Sequence, residues 1–264
     1  MDLQLKGRVA LVTGGGNGLG AAICHGLAQE GVKVAVADLN LEAAQRVADS
    51  IGGFALKMDV AHKEEVEAGI AQIADVFGGL HIVINNVGLT LPDYLSDIND
   101  EDIESTFNTN MRGPLLVTRA AVPLLSTAGW GRLIYIGSSS GLKASAGLSL
   151  YSASKYFLHG LCVAAGLELG KHGITANILC PSDIYPEGDS PAGSWLNPKL
   201  VEISLKKDGV SDFAQLTAKR IARTPAGRSC RVEDVANLAV FLASPLADFI
   251  SAQVIGVNGG ALPN

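Results

Sequence analysis

A phenol and an ammonium stand four residues apart in the stretch LSLYSASKYF, with only Ser152, Ala153 and Ser154 between Tyr151 and Lys155. On a helix, residues i and i+4 share a face, so the two polar tips would project into the same space. A phenol alone is a poor base near neutral pH, and a cation held beside it makes it a usable proton acceptor and donor. A chance pair on a solvated surface would show the same spacing. The elements that surround the pair therefore decide between proton chemistry and coincidence.

Those elements read as an α/β fold. Apolar runs of β type, RVALVTG, VKVAVAD, GFALKMD, LHIVINN, GRLIYIGS, ITANILC and AQVIGVNGG, alternate with helix-length segments that begin near Leu19, Leu41, Lys63, Ile103, Ser149 and Val232. Several runs are apolar at consecutive positions, which suits strands covered on both faces of a parallel sheet. The alternation implies right-handed βαβ units and a doubly wound, Rossmann-type sheet of about seven strands. No linker, repeat or low-complexity run interrupts the 264 residues, so residues 1–264 are expected to form one domain. Residues 185–227 stand apart, with Pro186, Pro191, Pro198 and a polar, helix-compatible stretch. A segment inserted at the carboxyl edge of such a sheet is expected to be a substrate-covering lobe.

Composition narrows the function classes. Apolar residues make up 48% and charged residues 17%, enough for a large core, and the net charge of −6 lacks the basic stripe that nucleic acid or an anionic membrane would need. Cys24, Cys162, Cys180 and Cys230 are scattered without a C-x-x-C pair, and the early apolar run VALV is too short for a signal peptide. A cytoplasmic location is expected. His25, His62, His81, His159 and His172 show no metal-ligand spacing, so no metal is expected. The acidic run SDINDEDIE (96–104) reads as the capped, solvated start of a helix.

The stretch TGGGNGLG follows the first strand directly and opens a helix, with Gly14, Gly18 and Gly20 in the pattern T-G-x-x-x-G-x-G. Glycines allow the tight turn and close backbone approach, while the helix N-terminus offers free N–H groups to a pyrophosphate. Asp38 ends the second strand at the distance where a carboxylate meets an adenosine ribose diol. It would repel a 2′-phosphate, and no Arg or Lys occupies positions 17, 39 or 40 to attract one, so NAD is expected over NADP. Asp38 could instead cap the following helix. Asp59, in KMDV, and Asn86 and Gly88, in NNVG, end the third and fourth strands on the same carboxyl edge, where turn chemistry alone would also account for them.

With TGGGNGLG, Asp38, MDV, NNVG, NTNMRG, GSSSG, YSASK and the final VNGG in order, the chain resembles the short-chain dehydrogenase/reductase family over practically its whole length. The resemblance implies a catalytic tetrad of Asn110, Ser138, Tyr151 and Lys155. It adds Asn17, Leu19, Val60, Pro181 and Ile184 to the cofactor contacts, together with Tyr151 and Lys155 themselves. In that scheme Tyr151 exchanges a proton with an alcohol or ketone oxygen, Ser138 holds that oxygen, and Lys155 also grips the nicotinamide ribose. Asn110 would hold a water for proton relay. Departures from the family pattern are Val87 in place of Ala, Ser182 after Pro181, Pro186 where Thr is frequent, and SAQ (251–253) for TGQ. Two segments, CHGLAQEGVKVAVADLN and GSSSGLKASAGLSLYSASK, are similar to those of bacterial polyol and sugar-phosphate dehydrogenases. Steroid and 3-oxoacyl reductases, and a non-catalytic NAD-binding sensor, remain alternatives. An epimerase or dehydratase would be expected to be longer. The family and two helices rich in Leu, Val and Ala, near 103–127 and 149–171, imply a homotetramer. Lys199, Lys206, Lys207, Lys219, Arg220 and Arg223 in the lobe are either a solvated helix face or a grip for an anionic substrate group, and Trp195 is a candidate apolar wall.

Overall fold

The computed structural model describes residues 2–185, 195 and 197–262, so Pro186 and Pro191 lie outside the described residues. The first half of the chain runs β1 (Val9–Thr13), α1 (Gly18–Gln29), β2 (Lys33–Asp38), α2 (Leu41–Ile51), β3 (Phe54–Lys57), α3 (Lys63–Phe77) and β4 (Ile82–Asn85). Next come α4 (Asp100–Thr106), a π-helical turn (Phe107–Arg112), α5 (Gly113–Thr127), β5 (Gly131–Ile136), α6 (Ser149–Leu169) and β6 (Ile174–Pro181). The lobe contributes α7 (Pro198–Asp208) and α8 (Phe213–Ala222), and α9 (Val232–Leu242) and β7 (Gln253–Val257) end the chain.

β1, β4, β5 and β6 are buried at every position, as continuous apolar strands of a covered sheet must be. All seven strands pair in parallel in the order β3-β2-β1-β4-β5-β6-β7, giving a single α/β domain of Rossmann type. Alternation along β1 divides the core. Ala10 and Val12 pack with α1, α2 and α9 on one face, while Val9 and Leu11 pack with α3, α5 and α6 on the other. Strand order reverses between β1 and β4, and the crevice outside their carboxyl ends is where such folds bind ligands.

The lobe has a small core of its own. Tyr185, Trp195 and Phe213 form a ring cluster with centroids 5.2 to 5.8 Å apart, packed with Leu200 and Leu216. Pro198 starts α7, where its missing N–H costs nothing, and Gly209 ends it in the left-handed conformation at φ 64°. Among the described residues no helix is long and apolar enough to cross a membrane.

Candidate active site

Four helices close their first turn with a side chain: Asn40 for α2, Asn99 for α4, Asn197 for α7 and Asp212 for α8. α1 does not. Its preceding residue Asn17 makes no capping bond, no acid stands in the first turn, and Asn17, Gly18, Leu19 and Gly20 face an open cleft. Free N–H groups and the positive helix end together make an anion cradle, which fits a pyrophosphate. The glycines are needed to build it. Gly14 sits at φ 62° and Gly18 at φ 50°, and a Cβ on Gly20 would fall 2.0 Å from the Gly14 carbonyl oxygen. Asn86 fixes the loop from the neighbouring strand by donating its Nδ2 protons to the carbonyls of Thr13 and Gly14, each at 3.0 Å.

Asp38 is not the cap of α2, since that place belongs to Asn40. Its carboxylate instead accepts the Gly16 and Asn40 N–H groups, both at 3.0 Å, and so is held at the end of β2 against the glycine loop. Asp59 accepts from Ala61 N–H at 2.9 Å and shapes the turn into α3, while buried Val60 lies against Gly113 at the start of α5.

α6 carries both residues of the opening pair. Lys155 is buried to 3% exposure, donates to the Ile136 carbonyl at 2.9 Å, and holds its Nζ 5.5 Å from the centroid of the Tyr151 ring. Gly88 lies over that ammonium, where a Cβ would come within 3.1 Å of Nζ. Ser138 follows β5 in extended conformation, and its Oγ accepts from Ser140 N–H at 3.1 Å, leaving its own proton uncommitted among the described residues. Gly141 lets this loop lie directly on α6, since a Cβ there would meet Lys155 and His159. The Tyr151 hydroxyl likewise has no hydrogen-bond partner among the described residues. Beneath Ser138, burial pushes the Cys180 thiol up to about 11 despite a Ser138 main-chain hydrogen bond and the Lys155 charge, and burial lowers the His159 imidazole, 3.5 Å away. Both stay neutral near pH 7, so Lys155 supplies the local charge.

Asn110 occupies the π-helical turn, a distortion that often marks a functional position in a helix. Its Oδ1 accepts from Leu89 N–H at 2.7 Å, and its Nδ2 protons go to Leu89 O at 2.8 Å and Ser154 Oγ at 3.0 Å. Both amide protons are thus committed to protein. This geometry ties α6 to the loop after β4 and leaves no side-chain donor for the water expected there.

These residues meet in a cleft of about 840 Å³ at the carboxyl edge of β1, β4, β5 and β6. Its wall includes the α1 N-terminus, Asn86, Gly88, Ser138, Tyr151 and Lys155, with Pro181 and Ile184 from the end of β6. Gly14, Asp38, Asp59, Val60 and Asn110 are not in that wall.

The family model for short chain dehydrogenase matches residues 8–196, well over half of the chain. The chain belongs to the short-chain dehydrogenase/reductase family. A second model, enoyl-(acyl carrier protein) reductase, matches residues 196–261. Sorbitol dehydrogenase of Cereibacter sphaeroides is 32% identical over 98% of each chain. The solved structure of sorbitol-6-phosphate 2-dehydrogenase from Erwinia amylovora is 31% identical with a TM-score of 0.87, covering 97% of this chain and all of that one. The 3-ketoacyl-(acyl-carrier-protein) reductase of Brucella melitensis, solved with NADH, is 26% identical with a TM-score of 0.84 over 98% and 99% of the two chains. This chain is therefore an oxidoreductase of that family, built for a nicotinamide cofactor.

Sequence reasoning missed part of this dehydrogenase/reductase's cleft. Lys143, Ser145, Leu200, Ile203 and Ser204 also line it, from the loop after β5 and from α7. Leu200 and Ile203, three apart on α7, were the available signal; nothing local marked Lys143. The lobe cations are held in different ways. Lys206 pairs with Glu202 on the exposed face of α7. Arg220 is half-buried, lies 5.1 Å from the Trp195 ring centroid, and joins Asp183 at 3.2 Å and Asp208 at 2.9 Å, while Arg223 reaches Asp208 at 3.1 Å. Lys199 pairs with Asp93, and Lys219 donates to the Asp208 carbonyl. Lys207 donates to Ser145 Oγ, in the loop after β5, at 3.0 Å.

Proposed function

We propose that this oxidoreductase is NAD-dependent and interconverts a secondary alcohol and a ketone, with a polyol, sugar or sugar phosphate as substrate. The observation that carries the reading is a pair of hydroxyls with uncommitted protons, Ser138 and Tyr151, in one cleft wall beside the buried Lys155 ammonium. Ser138 donates its proton to the substrate oxygen and orients it. Tyr151 takes the alcohol proton as the carbon gives up its hydride, and returns a proton in the reverse direction. Lys155, anchored on Ile136, stabilises the negative charge that develops on the Tyr151 oxygen and keeps donors for the nicotinamide ribose. The nicotinamide, when bound, accepts or returns the hydride. Asn110 acts by fixing the loop after β4 against Ser154 on α6.

The preference for NAD rests on Asp38, whose carboxylate is fixed at the ribose end of the glycine loop with only Leu39 and Asn40 beyond it. The polyol reading is supported by the sorbitol and sorbitol-6-phosphate relatives, and by Lys143, Ser145, Ser204 and Lys207 in the cleft wall beside the apolar Trp195, Leu200 and Ile203. The deciding experiment is a reduction screen with NAD and NADP over polyols, sugar phosphates, hydroxy acids, steroids and acyl thioesters. Turnover confined to NAD with a hydroxylated substrate is expected. Preferred use of NADP, or of a steroid or acyl thioester, would overturn the corresponding half of the reading.

A homotetramer in the cytoplasm belongs to the same proposal. Leu115 on α5 and Leu167 on α6 are large apolar side chains that stand exposed on one chain. Sedimentation at micromolar concentration should give a single assembled species, and a monomer would contradict it.

A further inference from the structure

The cleft wall holds more positive charge than the reaction consumes. Among the described residues five cations and two carboxylates line it, in a chain whose net charge is −6. Both carboxylates are already matched, Asp183 by Arg220 and Asp208 by Arg220 and Arg223. Lys155 belongs to the catalytic pair. Two lysines are left over. Lys207 spends one donor on Ser145 Oγ at 3.0 Å, and Lys143 has no ion pair among the described residues. The pyrophosphate does not need them, because the cleft wall at the α1 N-terminus is formed by Asn17 to Gly20 and carries no cation. Beside Lys207 on the same helix, Ser204 is 4% exposed, lines the cleft, and has no hydrogen-bond partner among the described residues. Its hydroxyl therefore keeps hydrogen-bonding capacity on the cleft side.

We infer that Lys143, Lys207 and Ser204 form a subsite for a terminal phosphate on the polyol substrate. The inference rests on the polyol reading above and selects the phosphorylated class within it. Two ammonium groups and a hydroxyl, from the loop after β5 and from α7, line the same cleft, and a compact dianion would draw on both sides of it. A planar carboxylate would favour an arginine fork, and both arginines in the wall are committed to Asp208. Because Ser138 and Lys143 share one loop, the subsite and the reacting oxygen are positioned by the same backbone.

The test compares kcat/KM for a hexitol phosphate, the matching hexitol and the matching hexonate. The phosphate is expected to be preferred about tenfold or more, less so at high salt. The ratio should collapse in Lys207→Ala and in Lys143→Ala/Lys207→Ala, and persist in Lys206→Ala, whose partner is Glu202. Equal use of the neutral hexitol, preference for the hexonate, or a ratio unaltered in the double variant would overturn the subsite. If no hexitol of any kind is oxidised, the polyol reading fails. The subsite is then read separately by ³¹P line broadening of the hexitol phosphate on the NAD-loaded enzyme. Broadening lost in the double variant supports it, and no broadening with the unaltered chain overturns it.

Discussion

The wall around Tyr151 and the network around Arg220 are both polar, half-buried clusters on one cleft, and they are wired in opposite ways. Around Arg220 every charge has a partner: Asp183, Asp208, Arg223 and the Trp195 ring close the circuit, and Tyr185 donates its hydroxyl to Asp183 at 3.0 Å. Around Tyr151 the anchors are satisfied, Lys155 on Ile136 and Asn110 on Leu89, but among the described residues the Tyr151 hydroxyl has no partner and the Ser138 hydroxyl, which accepts from Ser140 N–H, has no acceptor for its own proton. A closed network holds a shape, whereas an open one leaves hydrogen-bonding capacity for something that arrives later. The contrast separates structural charge from chemical charge without reference to residue type.

The largest effect should come from the open cluster. Tyr151→Phe is expected to lower kcat by about 10³-fold, the range of a lost general acid–base group, while NAD affinity changes little because the ring remains. Steady-state kinetics with a cofactor titration would check both, and a variant that kept most of its turnover would erase the distinction drawn here. Next, Asp38→Ala with Leu39→Arg should narrow the NAD-to-NADP preference by roughly 10- to 100-fold, since one repulsive charge is removed and a phosphate partner is added.

The closed cluster should answer in stability. Arg220→Ala leaves Asp208, 8% exposed in its side chain, without its main partner and bares the Trp195 ring. A loss of about 2–4 kcal/mol is expected, read by denaturant unfolding and by faster proteolysis within residues 198–222, with KM rising more than kcat falls. Acid should do the same reversibly. Burial would raise the Asp208 carboxyl, but the Arg220 hydrogen bond and the charges of Arg220, Arg223 and Lys219 outweigh it and hold the group below the usual carboxylate range. Its folded value is thus the lower one. The stability it contributes is complete above the unfolded value, near 3.9, and disappears as pH falls through the folded value. Pepsin below about pH 4 should therefore cut α7 and α8 before it cuts the sheet. Simultaneous cutting would show that the network does not govern the lobe.

The same contrast explains what could be read in advance. Strands buried on both faces announce themselves as unbroken apolar runs, so the sheet and the glycine loop were legible, as was the i, i+4 pair on α6. The lobe helices were not individually visible, because α7 buries Leu200, Ile203 and Ser204 and α8 only Leu216. Arg220 and Asp183 are 37 residues apart, and no local pattern joins them. The π-helical turn at Asn110 shifts a hydrogen-bond register without altering composition. Asp38 was visible as a carboxylate in the right place, yet only the structure excludes it as the cap of α2, a place that Asn40 holds.

The smallest effect lies at the far edge of the sheet, where neither cluster reaches. Ala252 enters β7 with φ 58°, the left-handed region, where the family often has glycine, and its N–H donates to the Ala176 carbonyl at 2.7 Å. For an L-residue that conformation costs about 1–2 kcal/mol. Ala252→Gly removes this strain but gives the unfolded chain more freedom, an opposing effect of about 0.4–1 kcal/mol. The balance is a stabilisation of about 0.5–1 kcal/mol, or a Tm higher by about 2 °C in a chain of this size. Turnover should stay unchanged, because β7 begins at the amino edge of the sheet while the cleft opens at the carboxyl edge. A fall in Tm on calorimetry would mean that the Ala252 methyl, packed close to Gly166 on α6, contributes more than the backbone strain removes.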